Sequence, residues 1–159
     1  MTINEYNSCV DFYADGIFRF ALKTLSDTDK ANDVVQDSFE RLWVKRSNVD
    51  YSKAKSYLFT TAYHACIDTI RDEKRTSRIE ESPELSIDNQ YTDLQEILHA
   101  ALNTLPEVQR SVILLRDYEG YSYSEIEEIT GLNESQVKVY IYRGRLALKK
   151  FIGTPQTVI

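Results

Sequence analysis

The chain has 159 residues, 42% of them hydrophobic, with only five glycines, three prolines and two cysteines. That suits one ordinary domain or two small ones, and it disfavours a loop-rich chain, an all-β chain, a disulfide scaffold and a cysteine metal cluster. The net charge of −6 argues globally against a nucleic-acid partner, but whole-chain charge governs solubility and steering, whereas a local patch decides what binds where.

The charge is strongly segregated. Residues 51–78 carry six basic and three acidic groups, and residues 134–159 carry five and one. Between them, residues 79–108 carry seven acidic groups and no basic one. No apolar run approaches the roughly 18 residues of a membrane helix. Met1–Cys9 shows no basic stretch followed by an apolar one. Neither a membrane span nor a signal peptide is expected, and the chain reads as cytoplasmic, without metal or cofactor.

In chain order, Val10, Tyr13, Ile17, Ala21 and Leu25 recur at three and four residues, the period of one helix face. The polar run Leu25–Asp29 ends that helix, and Asp27 or Thr28 caps the next. The second helix carries Ala31, Val34, Val35, Phe39, Leu42 and Trp43. Residues 47–52 read as a loop. A third helix, from about Lys53 to Arg75, is apolar on most sides, which predicts a central place in a bundle. Residues 77–91 lose all periodicity and include Pro83 and four acids, the signature of a flexible linker. A further stripe, Leu94 to Leu105, follows, and Pro106 suits the start of another helix that ends near Gly120. The expected fold is all-α: two small helical domains, 1–76 and 94–152, joined by a flexible acidic linker, 77–93, with a tail at 153–159.

The stretch after Gly120 is the most informative. Ser122 and Glu125 form a capping box, and Gly131 supplies a left-handed stop. Asn133 and Gln136 repeat the cap before a helix running to about Phe151. Val137, Ile141 and Leu148 point inward, and Gly144 permits close approach on the same side. This is a helix-turn-helix whose second helix fits a DNA major groove. Glu134, Ser135, Gln136 and Lys138 occupy its reading end. Tyr142, Arg143, Arg145 and Lys149 are left for the outer surface and DNA phosphates, and along the chain no acid interrupts Lys138 to Lys150.

The two halves together resemble an extracytoplasmic-function sigma factor of the sigma-70 family, over about residues 8–76 and 94–152. DVVQDSFERLWVKR (Asp33–Arg46) is similar to the family's region 2 helix, and SYLFTTAYHACIDTIR (Ser56–Arg71) to the promoter-melting helix after it. LPEVQRSVILLRDYEGYSYSEIEEITGLNESQVKVYIYRGRLALKK is similar to region 4. The resemblance implies that Asp33, Gln36, Asp37, Arg41 and Trp43 dock on the coiled coil of the largest subunit of core RNA polymerase. It implies that Asn48, Asp50, Tyr51, Ser52, Lys55, Tyr57, His64, Arg71 and Arg75 handle the −10 promoter element, whose opened bases need stacking and phosphate contacts. The helix-turn-helix residues would read the −35 element, with region 4 also touching the polymerase flap, and an anti-sigma factor would hold the chain inactive. Tyr57 and His64 stand where relatives commonly have Trp and Asn, which bears on promoter sequence. Glu127 stands where this motif usually has a small residue, so either it snorkels outward or the two helices pack apart.

Other classes fare worse. His64, Cys66 and Asp68 invite a catalytic reading, but His64 and Cys66 point to opposite sides of a helix, and no phosphate loop, metal set or nucleophile–base pair accompanies them. A stand-alone helix-turn-helix regulator would use 122–150 in the same way, yet the first half offers no ligand, phosphoacceptor or dimer domain. The basic face of 138–150 disfavours a pure adaptor. Cys9 and Cys66 read as buried small hydrophobes, with a redox switch the less favoured role.

Overall fold

The computed structural model describes residues 1–79 and 94–153, and among these it contains seven α-helices and no strand. The first half is a three-helix bundle. Helix α1 (Ile3–Leu25) opens with a reciprocal capping box between Thr2 and Glu5 and stops at Ser26, which adopts a left-handed conformation (φ 57°). Asp27 then caps α2 (Thr28–Lys45) by accepting the Lys30 N–H, so a two-residue break turns the chain back on itself. A 3₁₀ turn, Tyr51–Lys53, leads into α3 (Ala54–Ile79). Leu58, Phe59, Ala62, Tyr63, Cys66, Ile67 and Ile70 bury most of the circumference of α3, giving it the central place expected.

The second half holds α4 (Leu94–Asn103), α5 (Glu107–Ile113), α6 (Tyr123–Thr130) and α7 (Glu134–Ile152). Pro106 occupies the N-cap of α5. A π-helical turn, Leu114–Tyr118, carries α5 onward, and Gly120 (φ 75°) redirects the chain. Helices α5 and α7 touch at Gly144, where an added Cβ would lie 2.6 Å from Ile113 Cγ1.

Several apolar expectations shift. Val10, Trp43 and Leu94 are exposed. The buried stripe of α1 keeps Ile17, Ala21 and Leu25 and adds Cys9, Gly16, Phe20 and Thr24. Gly16 is what lets the neighbouring helices approach that face: its absent Cβ would lie 3.4 Å from the Phe59 ring and 2.9 Å from Glu119 Oε1. Helix α3 continues through Ile79, past the start of the stretch read as linker; the remainder of that stretch and the tail from 154 lie outside the described residues.

The two halves share one continuous hydrophobic cluster. Tyr121 meets Phe59 edge to face at 5.0 Å between centroids, and Phe59 meets Phe20 in the same manner at 6.3 Å. Arg110 donates to the Thr24 carbonyl in the last turn of α1 (2.6 Å) and to the Leu105 carbonyl (3.1 Å), satisfying helix-end acceptors on both sides of the junction. Ser26 at the end of α1 hydrogen-bonds His99 (3.0 Å) and Asn103 (3.2 Å) of α4.

Gly144→Ala tests the α5–α7 contact. Alanine gains about 1 kcal/mol in helix propensity, while overlap with Ile113 costs about 1–3 kcal/mol. The expected net is a loss of stability in urea unfolding; a stability gain would show that the helices do not approach so closely.

Candidate functional site

Helices α6 and α7 form the helix-turn-helix as read. Ser122–Glu125 and Asn133–Gln136 each make both bonds of a capping box, and Gly131 takes the left-handed conformation (φ 78°) between them. Ile126, Ile129, Val137 and Ile141 are buried where the two helices meet. Glu127 is half-buried without separating them, and its charge helps raise the Lys138 ammonium above the usual lysine range, behind the larger effect of Glu134. Glu134, Ser135, Gln136, Lys138, Tyr142, Arg143, Arg145 and Lys149 are all exposed. The reading of an uninterrupted basic face needs one correction. In space, Glu134 pairs with Lys138 (2.8 Å), and Asp117 of the π-helical turn pairs with Arg145 through two hydrogen bonds.

On α3, Tyr57, His64, Arg71 and Arg75 share one outward face, since seven residues make almost two turns. His64, Arg71 and Arg75 are exposed, and Tyr57 is half-buried. Asn48, Asp50, Tyr51 and Ser52 are exposed at the foot of this face. Lys55 is the exception among the nine. Two residues before Tyr57, it points to the opposite side of α3, where its ammonium contacts Glu125 (2.9 Å) and lies 4.1 Å from the Tyr121 ring centroid. Tyr63 belongs to the core, and burial raises its phenol above the usual range.

On α2, Asp33, Gln36, Asp37, Arg41 and Trp43 spread over about half the helix circumference. Asp33, Gln36 and Arg41 are exposed, and Asp37 pairs with Arg41 at 3.2 Å. Trp43 is partly packed and partly exposed. One edge packs on Tyr6 (5.0 Å), the Arg46 guanidinium stacks at 3.8 Å, and 39% of the residue faces solvent. A groove of about 540 Å³, lined by Glu40, Arg41, Trp43, Val44, Lys45 and Tyr57, joins this patch to the α3 face. The groove escaped the sequence reading, although Val44, an apolar residue amid the polar side of α2, marked it.

A sigma-70 region 2 model matches residues 9–76 and a sigma-70 region 4 model matches residues 95–148, together most of the chain. The chain is 28% identical to the extracytoplasmic-function sigma factor SigM of Bacillus subtilis, covering 94% of each protein. It is also 28% identical to SigW of that organism, covering 92% of this chain and 88% of SigW. The chain belongs to the extracytoplasmic-function group of the sigma-70 family. It is an RNA polymerase sigma factor that acts in transcription initiation. The fold agrees with two solved structures. One is the sigma factor RpoE of Bartonella quintana in complex with the anti-sigma factor NepR (TM-score 0.80, 24% identity, 96% of this chain and 99% of that one). The other is CnrH in complex with the cytosolic domain of CnrY (TM-score 0.70, 20% identity, 92% and 86%).

In this sigma factor, region 2 and region 4 meet through opposite charges. Besides Lys55–Glu125, Lys53 faces Glu128 (3.9 Å), Lys74 meets Glu107 (2.9 Å) and Arg19 meets Glu119 (3.2 Å). The Lys55 hydrogen bond, then the Ser122 N–H, holds the Glu125 carboxyl below the usual carboxylate range; Lys74 does the same for Glu107, with Arg71 adding to it. The exposed pairs at Lys53 and Lys55 contribute about 0–1 kcal/mol each, whereas the Glu119 carboxylate is buried beside Arg19; the apolar contact around Tyr121 carries the junction and the charges set its register.

Both cysteines are buried. Burial pushes the Cys66 thiol up to about 12 and raises Cys9 as well. Buried and held above the usual thiol range, neither is a reactive surface cysteine. A thiol-reactive dye is expected to label neither in native protein and both in denaturant; rapid native labelling would revive a redox role.

Proposed function

We propose that the sigma factor works through three separate surfaces. The α2 patch, Asp33, Gln36, Asp37, Arg41 and Trp43, grips the coiled coil of the largest polymerase subunit, with Trp43 as the aromatic anchor in a polar surround. The loop residues Asn48, Asp50, Tyr51 and Ser52, with Tyr57, His64, Arg71 and Arg75 on α3, take the opened −10 strand. Tyrosines stack on bases and arginines neutralise phosphates. The helix α7 enters the −35 major groove with Glu134, Ser135, Gln136 and Lys138 at base edges, while Tyr142, Arg143 and Lys149 lie along the backbone. Region 4 also meets the polymerase flap. The protein is a dissociable, non-catalytic subunit acting in the cytoplasm. An anti-sigma factor, of the kind bound to the RpoE neighbour, would occupy the same surfaces. The observation that carries this reading is the pair of exposed cationic faces, one in each matched region.

Run-off transcription with core polymerase on a promoter pool tests the whole. Start sites that require the protein are expected. No initiation, together with tight sequence-specific binding of duplex by the protein alone, would make it a stand-alone regulator. For α7, Arg143 and Lys149 are the residues to remove, because Arg145 is engaged by Asp117. Arg143→Ala with Lys149→Ala should weaken −35 duplex binding at least tenfold and flatten its log–log salt slope by about 2, since each neutralised phosphate contributes about 0.9.

Core docking is tested separately. Asp33→Ala with Trp43→Ala should abolish capture by core polymerase while the far-ultraviolet circular dichroism spectrum stays helical. Retained affinity would move the docking surface elsewhere.

A further inference from the structure

The outer side of α7 is not uniformly polar. Val139 is 42% exposed and Leu146 is 54% exposed. Seven residues apart, the two stand almost one above the other, with Ser135 one turn before Val139. This line lies opposite the buried side of the helix, Val137, Ile141 and Gly144. It is therefore the part of α7 farthest from the rest of its domain. Two isolated apolar side chains at such a place gain nothing from the fold, since their packing is on the other side.

Cations bracket the line. Arg143 and Lys150 stand to one side of it, and Arg145 and Lys149 to the other, all of them exposed. Beyond Glu134, α7 carries no acid. Both borders thus have one sign of charge, which calls for a partner with two negative borders and an apolar group between them. The major groove of duplex DNA is such a partner. Its phosphates line two walls about 12 Å apart, and a helix with its side chains is about 10–12 Å across. When the flanking cations meet the two walls, the line of Ser135, Val139 and Leu146 meets the floor. On that floor the one apolar group the base pairs display is the 5-methyl of thymine.

We infer that Val139 reads a thymine methyl group on the floor of the −35 groove, and so determines a preference for an A·T pair at one position of that element. This rests on the proposal that α7 enters the −35 groove, and it adds a kind of contact which Glu134, Ser135, Gln136 and Lys138 cannot make. Those four act by hydrogen bonds, whereas Val139 acts by fit. Its branched side chain is held to one rotamer on a helix, so little freedom is lost on contact. The selection also has a repulsive part. A G·C pair in the same place sets amino and carbonyl groups against the valine, where they lose water without gaining a partner.

The experiment uses holoenzyme assembled from core polymerase and the full chain. Holoenzyme first selects its −35 element from promoter duplexes randomised over that element. Each thymine of the selected element, on either strand, is then replaced singly by deoxyuridine, which lacks only the 5-methyl group. At one position the replacement should weaken binding about fourfold, the worth of one buried methyl-sized group. That ratio should not change with salt, because no counterion is released. Val139→Ser should lose the same factor on the thymine duplex and nothing further on the deoxyuridine duplex. Val139→Thr, which keeps a methyl group, should retain the discrimination. Val139 is exposed, so both variants are expected to keep the helical circular dichroism spectrum and capture by core. Equal binding of thymine and deoxyuridine duplexes at every position would overturn the inference and give the apolar line to a protein partner. Undiminished discrimination by Val139→Ser would overturn it too, as would a selected element without an A·T pair. The parent reading fails in a different way. If Arg143→Ala with Lys149→Ala leaves holoenzyme binding and its salt slope unchanged, α7 is not in the groove. If those substitutions weaken binding while deoxyuridine has no effect, α7 is in the groove and only the role of Val139 falls.

Discussion

The structure depends on the contact of Tyr121 with Phe59. Phe59 is fully buried near the start of α3, with Phe20 of α1 on one side and Tyr121 on the other. One aromatic chain thus runs from the first bundle into the second. Tyr121 reaches it because the π-helical turn after α5 adds a residue to the helical register and Gly120 then bends the chain with φ near 75°. Without that turn, the segment before α6 would aim elsewhere, and α6 would not lie across α3. The burial of Tyr121 also places its ring under the Lys55 ammonium, which couples the apolar contact to the charged one.

The same geometry divides the functional residues into two groups. Those on α7 and on the outer face of α3 are presented to solvent, and α7 opens with a complete capping box. Those at the junction are engaged with the other half.

The groove between Trp43, Val44 and Tyr57 links the α2 patch to the outward face of α3. Trp43 packs against Tyr6 and Arg46 on its inner side, so the position of the groove wall is tied to the amino-terminal helix. The amino terminus itself is anchored there, Met1 donating to the Arg46 carbonyl at 2.9 Å. A substitution at either surface is therefore felt at the other through a shared side chain.

The sequence by itself determined the helices and the helix-turn-helix, because caps, left-handed stops and three-to-four spacing are local properties. Asp27, Ser122, Gly131 and Asn133 act where their residue types predict, through bonds to neighbours two to four residues away. It also separated the surface of α7 from its core face, since Val137, Ile141 and Leu148 recur on one side of that helix. It did not determine on which side of α3 a cation would find its partner. Lys55 and Arg71 look alike in one dimension, but helical rotation sends Lys55 toward α6 and Arg71 outward. Nor did it foretell that Arg145 meets Asp117, 28 residues away, or that two domains separated by an acidic stretch close on a single core. Those are long-range pairings, decided by which faces meet when the helices pack, and only the tertiary structure selects among them.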